Sequence, residues 1–186
     1  MYKRVFVSGL LGFVVLIAWG FIINGVFRFN SRINMKQIPD ERHVYDVLKD
    51  NIIEPGRYAV NPELTSDKIY PAGEPVFSIL NSGMSHEAAG GLMLFQFSIF
   101  LVTPMIAAWI LSLTSRQTLS SYPRKVLFFT AIGLLFALFS DLMKVGIGGY
   151  PLRDALILAA HDIILWTLIG VAVAWRLQPE SLHDPS

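Results

Sequence analysis

Two pairs of ionisable residues interrupt the apolar C-terminal part of the chain: Asp141 with Lys144, and His161 with Asp162. A charged side chain inside a membrane-spanning segment costs a few kcal/mol on insertion scales and usually faces protein or water, so each is a functional candidate. Carboxylates and an imidazole can relay protons, and they are also ligands that suit zinc, copper or iron. These four residues therefore form a candidate intramembrane polar cluster.

A structural role for the same cluster stays open. Lys144 can neutralise Asp141 or Asp162 across the helix pair, and His161 can hydrogen-bond a neighbouring helix. No catalytic or cofactor-binding residue is predicted, and a metal ion is the one cofactor that these ligand types leave open. A haem held by two histidines is not expected, because His161 is the only histidine within a predicted span.

The composition indicates a membrane protein. Of the 186 residues 53% are hydrophobic and only 16% charged, whereas about a quarter of an ordinary soluble domain is charged. Four apolar segments reach the roughly 20 residues that span a bilayer core. They are Val5–Phe27, Ala88–Leu113, Lys125–Gly146 and Leu152–Trp175. We therefore predict an all-α membrane protein of four transmembrane helices, with a small α+β extracytoplasmic insertion between helices 1 and 2.

These spans determine where the polar cluster should lie. Asp141 and Lys144 come late in the third span, and His161 and Asp162 come in the first half of the fourth. Because consecutive helices run in opposite directions, all four residues are expected in the outer half of the membrane. By helix rise, His161 and Asp162 should lie on the order of 10–15 Å below the outer surface.

The chain divides into four predicted parts: an N-terminal helix over 1–27, an external segment over 28–87, a three-helix region over 88–176 and a tail over 177–186. In the external segment, apolar residues between 44 and 52 recur at helical spacing, with Asp40 near the N-cap. Glu54-Pro55-Gly56-Arg57 fits a type II turn that should end this helix. Residues 58–60 and 76–80 are β-prone and predict a two-stranded hairpin packed on it.

The basic residues predict the orientation. On one face, near the helix ends, there are six: Lys3, Arg4, Arg116, Arg124, Lys125 and Arg176. The other face has four: Arg28, Arg32, Lys144 and Arg153. By the positive-inside rule both termini are expected in the cytoplasm and residues 28–87 outside it.

Several classes of function are excluded by composition and motif. The chain has no cysteine, so disulfides, thiolate metal sites and a cysteine nucleophile are excluded. A net charge of +1 offers no basic surface for nucleic acid. Neither a G-x-S-x-G elbow nor an H-E-x-x-H helix occurs, so the sequence gives no support for a hydrolase.

The first span has small residues, Ser8, Gly12 and Gly20, that predict a face for close helix packing. Together with the lack of a cofactor set and the small external segment, this face favours a non-catalytic accessory or assembly subunit of a larger respiratory or photosynthetic membrane complex. Its partners would be the bilayer and another membrane protein. The alternative is a small transporter, or a proton- or metal-handling membrane protein, that uses the polar cluster.

Short motifs along the chain resemble a group of small uncharacterised bacterial inner-membrane proteins with four spans. They are the Lys3-Arg4 start followed by Gly9-Leu10-Leu11-Gly12, then Trp19-Gly20, Glu54-Pro55-Gly56-Arg57-Tyr58 and Trp175-Arg176-Leu177. The resemblance implies a bacterial inner-membrane setting and four spans. It implies no activity and assigns no catalytic or binding residue.

Overall fold

The computed structural model describes residues 2–60, 75, 77–84, 89–146 and 149–178. Four of its helices are long and apolar enough to cross a membrane, as predicted. They cover Tyr2–Val26, Gly90–Ser112, Tyr122–Gly146 and Leu152–Arg176. Each agrees with a predicted span to within a few residues, because the apolar runs that define a span are local features of the sequence.

The described elements follow one another along the chain with short connections. They are α1 (Tyr2–Phe21), α2 (Glu41–Asn51), β1 (Gly56–Val60), β2 (Phe77–Asn81), α3 (Ala89–Ser112), α4 (Arg116–Leu119), α5 (Tyr122–Phe136), α6 (Met143–Gly146) and α7 (Leu152–Arg176). Three π-helical segments also occur, at Ile22–Val26, Asn30–Asn34 and Ala137–Leu142. The first extends α1, and the last joins α5 to α6 as one continuous helix.

Helices α5 and α7 form an antiparallel pair that two glycines bring close together. A Cβ at Gly133 would lie 2.8 Å from the Trp166 Cβ, and a Cβ at Gly170 would lie 2.6 Å from the Phe129 Cβ. Since real Cβ atoms do not approach other atoms so closely, only glycine permits this helix separation. Phe129 and Ile169 are completely buried in the resulting contact.

Helix α1 packs on α3 and α7 through its own small residues. Ser8 is fully buried, and a Cβ at Gly12 would meet Pro104 of α3 at 2.8 Å and Ile169 of α7 at 3.1 Å. Two of the three predicted packing residues therefore form an intramolecular contact. Gly20 lies outside it, since a Cβ at Gly20 would have no atom within 4 Å.

Helix α3 leaves the bundle along its first half. Every described residue from Gly90 to Ile99 is exposed, whereas Pro104, Ala107 and Leu111 in the second half are buried. We call the end of the bundle where α3 begins the insertion end, and the opposite end, which has α4, the connection end. Helices α1 and α3 therefore contact each other towards the connection end and diverge towards the insertion end.

The insertion contains the predicted helix and two-stranded sheet. The side chain of Asp40 accepts a hydrogen bond from the His43 N–H and caps α2. β1 and β2 pair antiparallel, with Gly56 opposite Asn81 and Val60 opposite Phe77. The Asn81 amide donates to the carbonyl oxygens of Ile52 and Glu54, which joins the sheet to the end of α2.

One turn in the insertion differs from its prediction. A type II turn needs a positive φ at Gly56, but among the described residues only Gly83, Gly149 and Arg28 have a positive φ. Gly56 is extended because it is the first residue of β1, paired with Asn81. Of the predicted features, Val76 and most of the 177–186 tail lie outside the described residues.

The insertion also contacts the bundle. Lys36 donates a hydrogen bond to the Asp154 carboxylate in the first turn of α7, and the two residues form an ion pair. The Tyr150 hydroxyl donates to the Asn34 side-chain oxygen at 3.4 Å. The sequence predicts Asp154 only as a favourable charge at a helix N-terminus. Its partner comes from a distant part of the chain.

Candidate functional site

A cavity of about 560 Å³ lies where α1 and α3 diverge. We call it the wedge. Its walls come from the last turns of α1 and the π-helical segments that follow, from the first half of α3, and from α7. The lining residues are Leu16, Ile17, Trp19, Gly20, Phe21, Asn24, Gly25, Asn30, Gln96, Phe97, Phe100, His161, Asp162 and Leu165. This volume is within the range of about 300–1,000 Å³ that is usual for small-molecule sites.

His161 lies in an aromatic environment at the wall of the wedge. Its ring stacks on Phe29 with centroids 4.9 Å apart and planes 25° apart, and Trp19 lies on it at 6.1 Å. His161 Nδ1 is 3.0 Å from Asp162 Oδ1. Because that bond uses Nδ1, Nε2 is the ring nitrogen that is left for another partner.

Asp141 and Lys144 form the second half of the predicted cluster. Lys144 Nζ donates to Asp141 Oδ1 at 3.1 Å, one turn along the same helix. The Asp141 side chain is only 5% exposed, whereas the Lys144 side chain is 44% exposed. The ion pair therefore extends from a buried carboxylate to the surface of the protein.

The two halves of the cluster meet between the two carboxyl groups. Asp162 lies within hydrogen-bonding reach of Asp141. Asp141 Oδ2 is buried and accepts no hydrogen bond from a donor in the described residues. The four side chains thus form a continuous series from Lys144 through Asp141 and Asp162 to His161, which lines the wedge. In the open alternatives of the sequence, Lys144 pairs across helices and His161 bonds another helix; here each bonds a residue of its own helix.

The local helix geometry contributes to this arrangement. Asp141 lies in the π-helical segment Ala137–Leu142. A π-helical turn contains an extra residue, which changes the direction of the side chains that follow, and such segments occur frequently at functional sites. In an uninterrupted α-helix, Asp141 would be rotated by about 100° relative to α7.

Below the cluster, towards the connection end, the α5–α7 contact becomes apolar. Trp166 stacks between Phe129 and Phe136, with centroids 6.2 Å and 5.5 Å away. The described polar contact in this layer is a hydrogen bond of 2.9 Å between the Thr130 and Thr167 hydroxyls. The ionisable series is therefore open towards the insertion end and the wedge, and is separated from the connection end by aromatic packing.

Metal binding receives no support from the geometry. Among the described residues, no group of three or more histidine or acidic side chains is placed to hold a metal ion. Asp141 and Asp162 each already interact with a neighbouring side chain of the cluster. The metal alternative left open by the sequence therefore has no candidate ligand set in this part of the chain.

Two residues of the site are not among the predicted site residues. Trp19 Nε1 is buried and has no hydrogen-bond acceptor among the described residues. Gln96 places a side-chain amide on the opposite wall of the wedge. In the sequence both stand out only as polar interruptions of apolar runs. That they face one site depends on the divergence of α1 and α3, which hydropathy does not report.

Comparison with known proteins gives no relative: no family model, no curated protein and no solved structure matches the chain. Conclusions about function therefore depend on the geometry of the wedge and of the ionisable series.

Proposed function

We propose that the protein is a multi-pass membrane protein that handles protons, exchanging them between the aqueous phase at the insertion end and the wedge. The observation that carries this proposal is the continuous series Lys144–Asp141–Asp162–His161 in an otherwise apolar part of the chain. Carboxyl, imidazole and ammonium groups at hydrogen-bond distance are the usual components of proton relays inside membrane proteins.

The geometry favours exchange on one side over conduction across the bilayer. The exposed Lys144 end of the series is accessible to water, and its His161 end lines the wedge. Towards the connection end, the stack of Trp166 on Phe129 and Phe136 has no titratable group. The proposal is therefore a local proton exchange that serves a molecule bound in the wedge.

Infrared difference spectroscopy across a pH titration tests the proposal. The wild-type protein, purified in mild detergent, is expected to show a carboxyl C=O band that changes with pH. Because the two carboxyl groups interact, Asp141→Asn and Asp162→Asn should each remove the same band, and the double variant should remove no more than either single variant. Asp154→Asn is the matched control, since Asp154 is also buried but pairs with Lys36.

Two results would count against proton handling. One is the persistence of the band in both single variants, which would assign it to other acids. The other is strictly additive loss in the double variant, which would mean that the two carboxyl groups titrate independently. Circular dichroism of each variant establishes that the helices remain folded.

A second function, an accessory or assembly subunit of a larger bacterial inner-membrane complex, is favoured by a different observation. The first half of α3 is exposed on every side; Leu94, for example, is 72% exposed and Phe95 64%. Ser8 and Gly12 no longer support this function, because their face is occupied by α3 and α7. Purification of a tagged chain from native membranes tests it: a stoichiometric partner would support a subunit, and recovery of the protein alone would exclude one.

The proposed orientation has both termini in the cytoplasm and the insertion outside it, on the basis of six basic residues against four. The absence of cysteine makes a clean test available, because any single introduced cysteine is the only thiol. In intact cells a membrane-impermeant maleimide should label Ser82→Cys in the insertion. It should leave Ser120→Cys, beside α4, unlabelled until the cells are broken. The reverse pattern would invert the orientation.

A further inference from the structure

The hydrogen-bonding groups of the wedge are mainly donors without acceptors. Trp19 Nε1 is a donor only, and it is buried without a partner among the described residues. Its lost hydration is not compensated within the described protein, which is costly for a buried polar group. The Gln96 amide and His161 Nε2 are available on the other walls. A ligand that brings acceptor oxygens would satisfy these groups.

The charge of the wedge selects against an anionic ligand. The described lining has no lysine or arginine, and it includes the carboxyl group of Asp162. A phosphate or carboxylate headgroup would meet a like charge and no cation. The ligand that fits is therefore uncharged and has carbonyl or hydroxyl oxygens.

The shape and position of the wedge select a flat ring with an apolar tail. Aromatic side chains line it on two helices, with Trp19 on α1 and Phe97 and Phe100 on α3. Such rings stack favourably on another planar ring. The first half of α3 diverges from α1 and is exposed throughout, so the wedge opens sideways between two apolar helices. In a bilayer this opening would admit an apolar tail from the lipid phase.

From these features we infer that the wedge binds the ring of a membrane quinone or quinol. The two ring oxygens accept hydrogen bonds from Trp19 Nε1 and from the Gln96 amide or His161, and the tail leaves between α1 and α3. The inference deepens the proposed function, since one ring oxygen would then lie beside the His161 end of the ionisable series. It concerns binding alone and requires no redox step.

Thermal denaturation of the detergent-purified protein, with decylubiquinone as the probe, tests this inference. A ligand that binds the folded state raises the midpoint in a concentration-dependent way that reports its affinity. Phenyldecane, which has a ring and a tail but no oxygen, is the matched ligand control. We expect a saturable shift with decylubiquinone and a much weaker one with phenyldecane.

Variants assign the binding to the wedge. Trp19→Phe keeps an aromatic ring but removes the donor, and should weaken decylubiquinone binding about tenfold, the usual effect of one buried hydrogen bond. Gln96→Leu should also weaken it, and it remains informative if Trp19→Phe fails to fold, since Gln96 lies on the exposed half of α3. Trp175→Phe is the control, because Trp175 is 72% exposed at the connection end.

Three outcomes would overturn the inference: no saturable binding, equal binding of phenyldecane, or unchanged affinity in both Trp19→Phe and Gln96→Leu. The infrared test of proton handling uses no ligand, so the two proposals fail separately. A shared carboxyl band without decylubiquinone binding would overturn the quinone site alone. Binding without that band would overturn proton handling and leave the quinone site in place.

Discussion

The close contact between α5 and α7 at Gly133 makes a quantitative prediction about stability. A Cβ at this position would lie 2.8 Å from the Trp166 Cβ, 3.0 Å from the Ile163 Cα and 3.1 Å from the Asp162 carbonyl oxygen. Ordinary contacts begin at 3.4 Å, and two of these atoms belong to the α7 main chain. In Gly133→Ala, α7 would therefore have to move by about 0.4–0.6 Å.

The expected free energy follows from two opposing effects. Overpacking of this kind costs about 1–3 kcal/mol, while replacing a helical glycine by alanine returns about 1 kcal/mol through helix propensity. Gly133→Ala should therefore destabilise the protein by about 1–2 kcal/mol. Gly91→Ala in α3 is the matched control, because a Cβ there would have no atom within 4 Å. It should be neutral or stabilising by up to about 1 kcal/mol.

Unfolding of both variants by sodium dodecyl sulfate in mixed micelles, followed by circular dichroism, measures the difference. Gly133→Ala should unfold at a lower detergent fraction than the wild type, and Gly91→Ala at the same fraction or a higher one. Equal stability of the two variants would refute the helix separation described above. It would also remove the basis for placing Asp162 beside Asp141, since both depend on the same contact.

Three other positions carry predictions of their own. Gly83→Ala should destabilise the two-stranded sheet by about 1–2 kcal/mol, because Gly83 has a φ of +67° and its Cβ would lie 2.5 Å from Pro55; faster proteolytic cleavage within the insertion would reveal this, and an unchanged rate would contradict it. A double-mutant cycle of Lys36→Ala and Asp154→Ala should give a coupling of about 1 kcal/mol, read from thermal unfolding, and a zero value would mean that the ion pair does not form. Lys125→Met should cost about 1–3 kcal/mol, because the buried Lys125 Nζ donates at 2.6 Å to the last described carbonyl of α7; unfolding in detergent measures it, and wild-type stability would refute that bond.

The long helices could be predicted from the sequence because their signal is local. A span needs only an apolar run of sufficient length, and each predicted boundary differs from the observed one by a few residues. The capped helix after Asp40 and the two strands were predictable for the same reason. The short α4 and the π-helical segments were not, since they depend on small differences in backbone hydrogen bonding that hydropathy does not contain.

Contacts between helices were predictable only where sequence spacing is sufficient. Ser8 and Gly12 are one turn apart and lie in the same contact, but Gly20, on the same face of a regular helix, lies where α3 has diverged. The cluster residues were identifiable because charge is rare in apolar spans. The wedge, with Trp19 and Gln96, depends on an angle between two helices that neither helix's own sequence encodes.

The contact of α1 with α7 has a consequence for biosynthesis. Gly12, near the start of the chain, lies against Ile169 near its end. Since a membrane protein is inserted from its N-terminus, the small-residue face of α1 can contact α3 early but must wait for α7 until nearly the whole chain has been made. A chain truncated before α7 would leave that face half covered, and would present to quality-control proteases a glycine surface that the complete protein hides.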